Sequence, residues 1–331
     1  MVRLRRVGRD DLTLTRRRSG KGFTFLDETG AVIRDQAVRQ RISALGIPPA
    51  WTDVRIAAHE RAHIQALGVD EAGRTQYIYH EDWERRRTGR KQQRLAQLTA
   101  ALPRIRRRVA AELAGPEGSR SFALALAVAL IDRTAMRVGR ERYLETNGTR
   151  GAGTLFTRDV TVREGKLQLK FSAKGSKKAE YAVDDPLLVD AVTRIKTLPG
   201  KRLLVYRDDH GKVRPINTAA INAWLCQVAG CEISAKDFRT LHASALAAEA
   251  LAALELGTSE TARKRQIAGV VREISQVLRN TPAICRKSYI APCLFRLFDE
   301  GKLQAVWETA GRAGPGIKLR ERRLAAVLAA V

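Results

Sequence analysis

The side chains that could do chemistry in this chain are narrowed first by the mechanisms its spacing disfavours. No G-x-x-x-x-G-K-[ST] loop is present to cradle nucleotide phosphates, which argues against an NTP-driven motor. Gly151-Ala152-Gly153 is too short to be a dinucleotide fingerprint. Asp184-Asp185 and Asp208-Asp209 read as a strand end and a hairpin turn, and no cluster of histidines and carboxylates has metal-ligand spacing. Metal-assisted phosphodiester hydrolysis is therefore disfavoured. Cys226, Cys231, Cys285 and Cys293 fit neither a disulfide framework nor a C-x-x-C zinc pattern, and read as ordinary reduced thiols. Work on a phosphate would fall to arginine, lysine and a side-chain nucleophile.

Composition supplies the reason to think of phosphate at all. The 331 residues carry 60 Lys+Arg against 35 Asp+Glu, a net charge of +25, with a pI near 10.7. Self-repulsion on that scale points to a polyanionic partner. A membrane surface is the other anionic candidate, but the basic start Met1-Val2-Arg3-Leu4-Arg5-Arg6 leads into no apolar segment. The longest apolar run, Phe122 to Ile131, is about half a bilayer span and reads as a buried helix. The expectation is a soluble, cytoplasmic chain without membrane contact.

The elements that must position such residues fall into two blocks. Gly22–Leu26 and Gln76–His80 alternate at period two, and residues 36–45 form a plausible helix, so the first block is β-rich. Between Arg85 and Arg108 stand ten Lys/Arg and no acid, with Thr88-Gly89 near the start. That stretch reads as a linker into a basic helix, placing a boundary near residue 90. The second block is mainly helical, interrupted over residues 157–183 by a three-stranded meander with turns at Glu164-Gly165 and at residues 172–176. Ser234-Ala-Lys-Asp237 has capping-box form and sets Arg239 in the first turns of a helix. A core-facing helix through Ile267, Val270, Val271, Ile274 and Leu278 stops at Asn280. Thr281-Pro282 then opens a helix that carries Tyr289 and ends at Pro292. The fold class is α+β: a small β-rich domain, 1–90, and a larger helical domain, 91–331, holding a three-stranded antiparallel sheet.

Four stretches then stand in a telling order. Asp132-Arg-Thr-Ala-Met-Arg137-Val-Gly-Arg140-Glu-Arg-Tyr143 is followed by Phe171-Ser-Ala-Lys174-Gly-Ser-Lys, by Lys236-Asp-Phe-Arg239-Thr, and by Leu278-Arg-Asn280-Thr-Pro-Ala-Ile-Cys-Arg-Lys-Ser-Tyr289. This set resembles the type IB DNA topoisomerases, in their small bacterial, poxvirus-like branch. Trp51-Thr-Asp-Val and Gly73-Arg-Thr-Gln-Tyr-Ile-Tyr79 in the first block resemble that branch too. The resemblance implies that Tyr289 attacks a DNA phosphodiester to give a 3′-phosphotyrosyl link, with Arg137, Arg239 and Lys174 as the family's cations. It implies relaxation of supercoiled double-stranded DNA by a monomeric clamp in the bacterial nucleoid, without ATP, metal or cofactor. Asn280 occupies a supporting position that is often histidine in the family. An amide can donate to a phosphoryl oxygen but cannot shuttle a proton.

The chemistry is coherent with those residue types. A phenol with pKa about 10 needs a positive field or a proton acceptor before it attacks. Two guanidiniums suit the non-bridging oxygens of a pentacovalent transition state, and a lysine suits protonation of the leaving 5′ oxygen. Each residue also has a plain structural reading. Tyr289 is a half-buried tyrosine, Lys174 a solvated turn lysine, Arg137 a helix-end cation satisfying the dipole, and Asn280 a left-handed helix cap. Arg239 resists such a reading, because a cation near a helix start opposes the dipole.

For DNA contacts, the resemblance favours Gln76, Tyr77 and Tyr79 on one strand, Arg74 just upstream of it, and also Arg140 and Tyr143. Two other functions fit parts of the pattern. A tyrosine recombinase shares the chemistry, but usually has histidine where Lys236 stands. An architectural DNA-binding protein would use the charge alone.

Overall fold

The computed structural model describes residues 3–309, 311 and 314–331. The chain divides into two compact units, Met1–Lys91 and Gln92–Val331. The first holds β1 (Leu14–Ser19), β2 (Gly22–Leu26), α1 (Gln36–Ala44), β3 (Thr52–Ile56), β4 (Ile64–Val69) and β5 (Thr75–Tyr79). The strands make one antiparallel sheet in the order β2-β1-β3-β4-β5. Asp35 starts α1 by accepting the Val38 N–H, and the helix buries Ile42 against Leu14, Val54, Ile56 and Ala66. That small core leaves the charged strand faces to solvent.

α2 (Glu81–Leu113) corrects the expected linker, because residues 85–108 lie inside one continuous helix. Arginine, lysine, glutamine, leucine and alanine dominate the stretch, so Gly89 costs only ~1 kcal/mol and is absorbed. Glu81, Asp82 and Glu84 complement the dipole at its start, and Arg85 and Arg87 pair back onto them. The expected basic helix is present, and it begins at Glu81 with no linker before it because helix propensity is high around Thr88-Gly89.

In the second unit α3 (Arg120–Thr134) is buried from Phe122 through Asp132, the pattern of a helix enclosed on every side. After α4 (Glu141–Asn147) come β6 (Val160–Arg163), β7 (Lys166–Ala173) and β8 (Lys177–Val183), an antiparallel sheet in chain order. Glu164 and Gly165 both take positive φ, 51° and 71°, the geometry of a tight hairpin between β6 and β7. α5 (Pro186–Ile195), the short hairpin β9 (Val205–Arg207) and β10 (Val213–Pro215), and α6 (Thr218–Ala229) follow. The remaining helices are α7 (Ala235–Ala252), α8 (Glu260–Val277), α9 (Pro282–Ser288), α10 (Pro292–Asp299), α11 (Leu303–Thr309) and α12 (Leu319–Ala329).

A buried ionic brace fixes the end of α3. Arg106 of α2 donates to both carboxylate oxygens of Asp132, each at 2.8 Å, and to Glu321 of α12 at 2.7 and 2.8 Å. Burial alone would lower the Arg106 pKa, but the two carboxylates outweigh it and hold the guanidinium above its usual value. His242 of α7 makes a 2.7 Å hydrogen bond to the Asp132 carbonyl. Among the described residues no helix is long and apolar enough to cross a membrane, and no group of histidines, cysteines and carboxylates could hold a metal ion.

Candidate active site

Arg239 is the most deeply set of the candidate residues. Ser234 and Asp237 close the expected capping box, the Ser234 N–H donating to Asp237 at 2.8 Å, and Arg239 lies one turn in. It is 3% exposed. One terminal nitrogen donates to the Ala135 carbonyl and the other to the Leu278 carbonyl at 2.8 Å. A cation that opposes the helix dipole is thus held because it ties the ends of α3 and α8 to α7.

Arg137 lies three residues past the end of a helix. α3 stops at Thr134, Ala135 turns left-handed at φ 52°, and Arg137 lies in irregular chain beyond it. Close packing then fixes its backbone. The Ala152 N–H donates to the Arg137 carbonyl at 2.9 Å, and the Gly153 N–H to the Val138 carbonyl at 2.7 Å. A Cβ on Gly151 would stand 2.3 Å from the Arg137 carbonyl oxygen, so only glycine permits this approach. Gly151-Ala-Gly153 is thus a close-packing device for the Arg137 backbone.

The guanidinium of Arg137 donates to Asn280 Oδ1 at 2.7 Å. Arginine only donates, so this contact settles the amide's orientation and turns Nδ2 the other way. Asn280 Nδ2 is buried and has no hydrogen-bond partner among the described residues. Nor is Asn280 the left-handed cap. α8 ends at Val277, Arg279 takes the positive φ of 53°, the Arg279 N–H donates to Gln276, and the Asn280 N–H donates to Ser275. Those two bonds form a Schellman motif with Arg279 at its left-handed position. The cap reading belongs to Arg279, and the Asn280 side chain is free for another task.

Thr281 and Pro282 start α9 as expected, but the helix ends at Ser288 and Tyr289 is its C-cap at φ −128°. A new helix begins at Pro292. Ser244, fully buried on α7, receives the Ala291 N–H at 3.0 Å and donates to the Tyr289 carbonyl at 3.2 Å. The Arg239 guanidinium carbon is 4.9 Å from the Tyr289 ring centre and Lys236 Nζ is 6.0 Å from it. Burial pushes the phenol pKa up, but Arg239 foremost, then Arg137 and Lys236, outweigh it and hold it below the ordinary phenol value. The Arg137 guanidinium is itself lowered by burial and by Arg239, and is partly supported by Tyr289 and Tyr181.

The other residues are less closely drawn together. Lys174 is exposed in the turn joining β7 to β8 and makes no hydrogen bond or ion pair among the described residues. Arg140 precedes α4 and Tyr143, half exposed, projects from it. In the first unit, Tyr77 and Tyr79 stack with ring centres 5.9 Å apart on β5. Arg74 and Gln76 both bond to Asp70, at 2.9 and 2.8 Å, which drives that carboxyl down to about 2. Sequence reasoning missed the support behind this face. Arg87 lies over the Tyr79 ring at 5.0 Å, and His63 meets Trp83 edge-on at 4.6 Å. It also missed Lys236 as a neighbour of the phenol and Ser244, although a serine amid the alanines of α7 was a visible anomaly.

Comparison with known proteins gives the family of the chain. Residues 80–293 match the family described as eukaryotic DNA topoisomerase I, catalytic core, and residues 22–70 match the bacterial DNA topoisomerase IB N-terminal domain. The chain is similar to a DNA topoisomerase 1B of Acanthamoeba polyphaga mimivirus, 28% identical over 267 residues that cover 78% of this chain and 80% of the viral one. With a catalytic-core match spanning well over half its length, the chain belongs to the type IB DNA topoisomerases.

Proposed function

We propose that Tyr289, Arg137, Arg239, Asn280 and Lys174 act together on one phosphodiester of duplex DNA. Tyr289 loses its proton to solvent, and the phenolate oxygen forms a bond to phosphorus. The bond from phosphorus to the 5′ oxygen breaks, and that oxygen takes a proton from the Lys174 ammonium. Arg137, Arg239 and Asn280 donate to the non-bridging oxygens as charge builds on them. One phosphoester replaces another, so the reverse attack by the 5′ hydroxyl reseals the strand without an energy source. While the strand is open, torsion in the duplex relaxes by rotation.

The observation that carries this reading is the convergence of cations on the Tyr289 phenol. Asn280 Nδ2 and Arg239 Nε support it, as buried donors without partners among the described residues that an anionic oxygen would satisfy. On the same reading, residues 1–90 form a DNA-facing clamp domain whose Tyr77–Tyr79 face meets the duplex, and residues 91–331 are the catalytic domain. The protein works as a monomer on the nucleoid. Supercoiled plasmid incubated with the protein in EDTA should relax. Tyr289→Phe should abolish relaxation and leave duplex affinity within about threefold. Persistent relaxation by the phenylalanine variant would remove Tyr289 from the role.

A further inference from the structure

The left-handed residue after α8 is an arginine where a Schellman turn ordinarily takes glycine. A non-glycine side chain at φ 53° carries a cost of order 1 kcal/mol, so something in the fold holds it there. The side chain shows what it reaches. Arg279 Nη1 donates to the Lys178 carbonyl at 2.7 Å and Nη2 donates to the Glu180 carbonyl. Both carbonyls belong to β8, one of the two edge strands of the three-stranded sheet, so the planar fork spans two acceptors on a sheet edge. The guanidinium carbon also sits 4.9 Å from the Tyr181 ring centre, and Tyr181 stacks on Phe171 of β7 at 6.0 Å. One side chain therefore grips β8 by its edge and, through that stack, is linked to β7. These are the two strands whose connecting turn carries Lys174. On its other side, Arg279 is bonded in sequence to Asn280, which holds Arg137.

We propose that Arg279 is a positioning residue that locks the β7–β8 hairpin to the Asn280 turn, so that Lys174 is delivered to the 5′ oxygen while Asn280 and Arg137 hold the phosphoryl group. The proposal rests on the assignment of Lys174 as proton donor. It explains why the lysine can stand on an exposed turn without bonds of its own. The base of its hairpin is fixed four residues away, at Lys178, to the segment that holds the phosphate-binding amide. It also explains why arginine stands at the left-handed position, since glycine would relax the backbone and release the hairpin.

The test separates proton delivery from phosphoryl binding. A strand whose leaving 5′ oxygen is replaced by sulfur departs as a stable thiolate and needs no proton. Arg279→Gly keeps the turn, because glycine adopts positive φ without strain, and deletes only the fork. Arg279→Gly should melt within a few degrees of the native chain and bind the duplex with unchanged Kd. It should cleave the oxygen strand about 10- to 100-fold more slowly in single turnover. On the sulfur strand it should cleave within about threefold of native, as Lys174→Ala should. Three outcomes overturn the proposal. They are native-like cleavage of the oxygen strand by Arg279→Gly, an equal defect on both strands while Lys174→Ala is rescued by sulfur, and no rescue of Lys174→Ala. The last also removes the assignment of Lys174 on which the proposal rests, and the second leaves that assignment standing.

Discussion

Arg239 is 3% exposed and spends both terminal nitrogens on backbone carbonyls, whereas Lys174 is exposed in a hairpin turn and bonded to nothing among the described residues. Both are cations assigned to the same phosphodiester. The difference follows from what each must do. A donor that stabilises charge is most effective when it is already oriented and dry, because no reorganisation is needed as the charge appears. A proton donor must meet the leaving oxygen and later take the proton back as the strand reseals, which suits a mobile stem on a located base. The fold thus builds the phosphoryl clamp into its core and leaves the acid at the surface.

Removing Arg239 should break this comparison most severely. Arg239→Ala leaves two buried carbonyls unpaired, which costs about 1–3 kcal/mol each. It also removes the strongest cation beside the phenol, and loss of a preorganised donor slows reactions by about 10²–10³-fold. Single-turnover cleavage and a thermal melt should both fall. Arg239→Lys should recover little of either, since one ammonium cannot reach both carbonyls in the geometry of a planar fork. A lysine variant with native stability and rate would show that the clamp is a point charge and not a built frame.

Lys174→Ala should show the opposite balance. General acid catalysis is worth about 10²–10⁴-fold, so cleavage should slow by that order. The melting temperature should not move, because the side chain makes no bond among the described residues. A clear loss of stability would mean that the lysine is part of the fold and that the contrast with Arg239 is false.

The same contrast explains what could be read before the structure. The capping box at Ser234, the Thr281-Pro282 start and the three-stranded meander are local, set by a few adjacent residues, and all stand where the spacing put them. Helix ends were legible only to within a few residues. Whether the left-handed position after α8 falls on Arg279 or Asn280 depends on where each side chain finds its partner, Arg279 on β8 and Asn280 on Arg137. The same is true of Tyr289, whose place just past α9 is held by Ser244 from a helix 45 residues earlier. Long-range contacts of this kind leave no periodic trace. The Arg85–Arg108 stretch differs for another reason: its charge pattern suggests a linker, while its helix propensity carries the chain through Thr88-Gly89 unbroken.

Asn280→Ala sharpens the comparison at an intermediate scale. The Schellman bonds are made by backbone N–H groups, so alanine leaves them intact, and stability should fall only by the lost Arg137 contact, about 0.5–1.5 kcal/mol. The amide's contact with Arg137 and its unfilled Nδ2 are lost, and cleavage should slow about 10- to 100-fold. Equal damage to melting and to cleavage would return Asn280 to a structural role.

The smallest expected effect concerns Lys236 and decides whether an exposed cation shares in activating the phenol. Attack requires the phenolate, so the cleavage rate rises with pH until the Tyr289 pKa is passed. Burial raises that pKa, and Arg239, Arg137 and Lys236 lower it by more, so the plateau should begin below the pH of an ordinary phenol. Lys236→Ala removes one lowering charge. The rising limb should therefore move to higher pH, and at a fixed pH on that limb the rate should drop a few-fold. Lys236 is exposed, unlike Arg239, so salt should screen its share. The gap between native and variant pH profiles should narrow at high ionic strength, with the substrate kept saturating so that weaker DNA binding does not intrude. A gap that persists unchanged in high salt would mean that Lys236 acts by contact with the reacting phosphate, and the division between a dry clamp and a solvated periphery would have to be redrawn with Lys236 inside it.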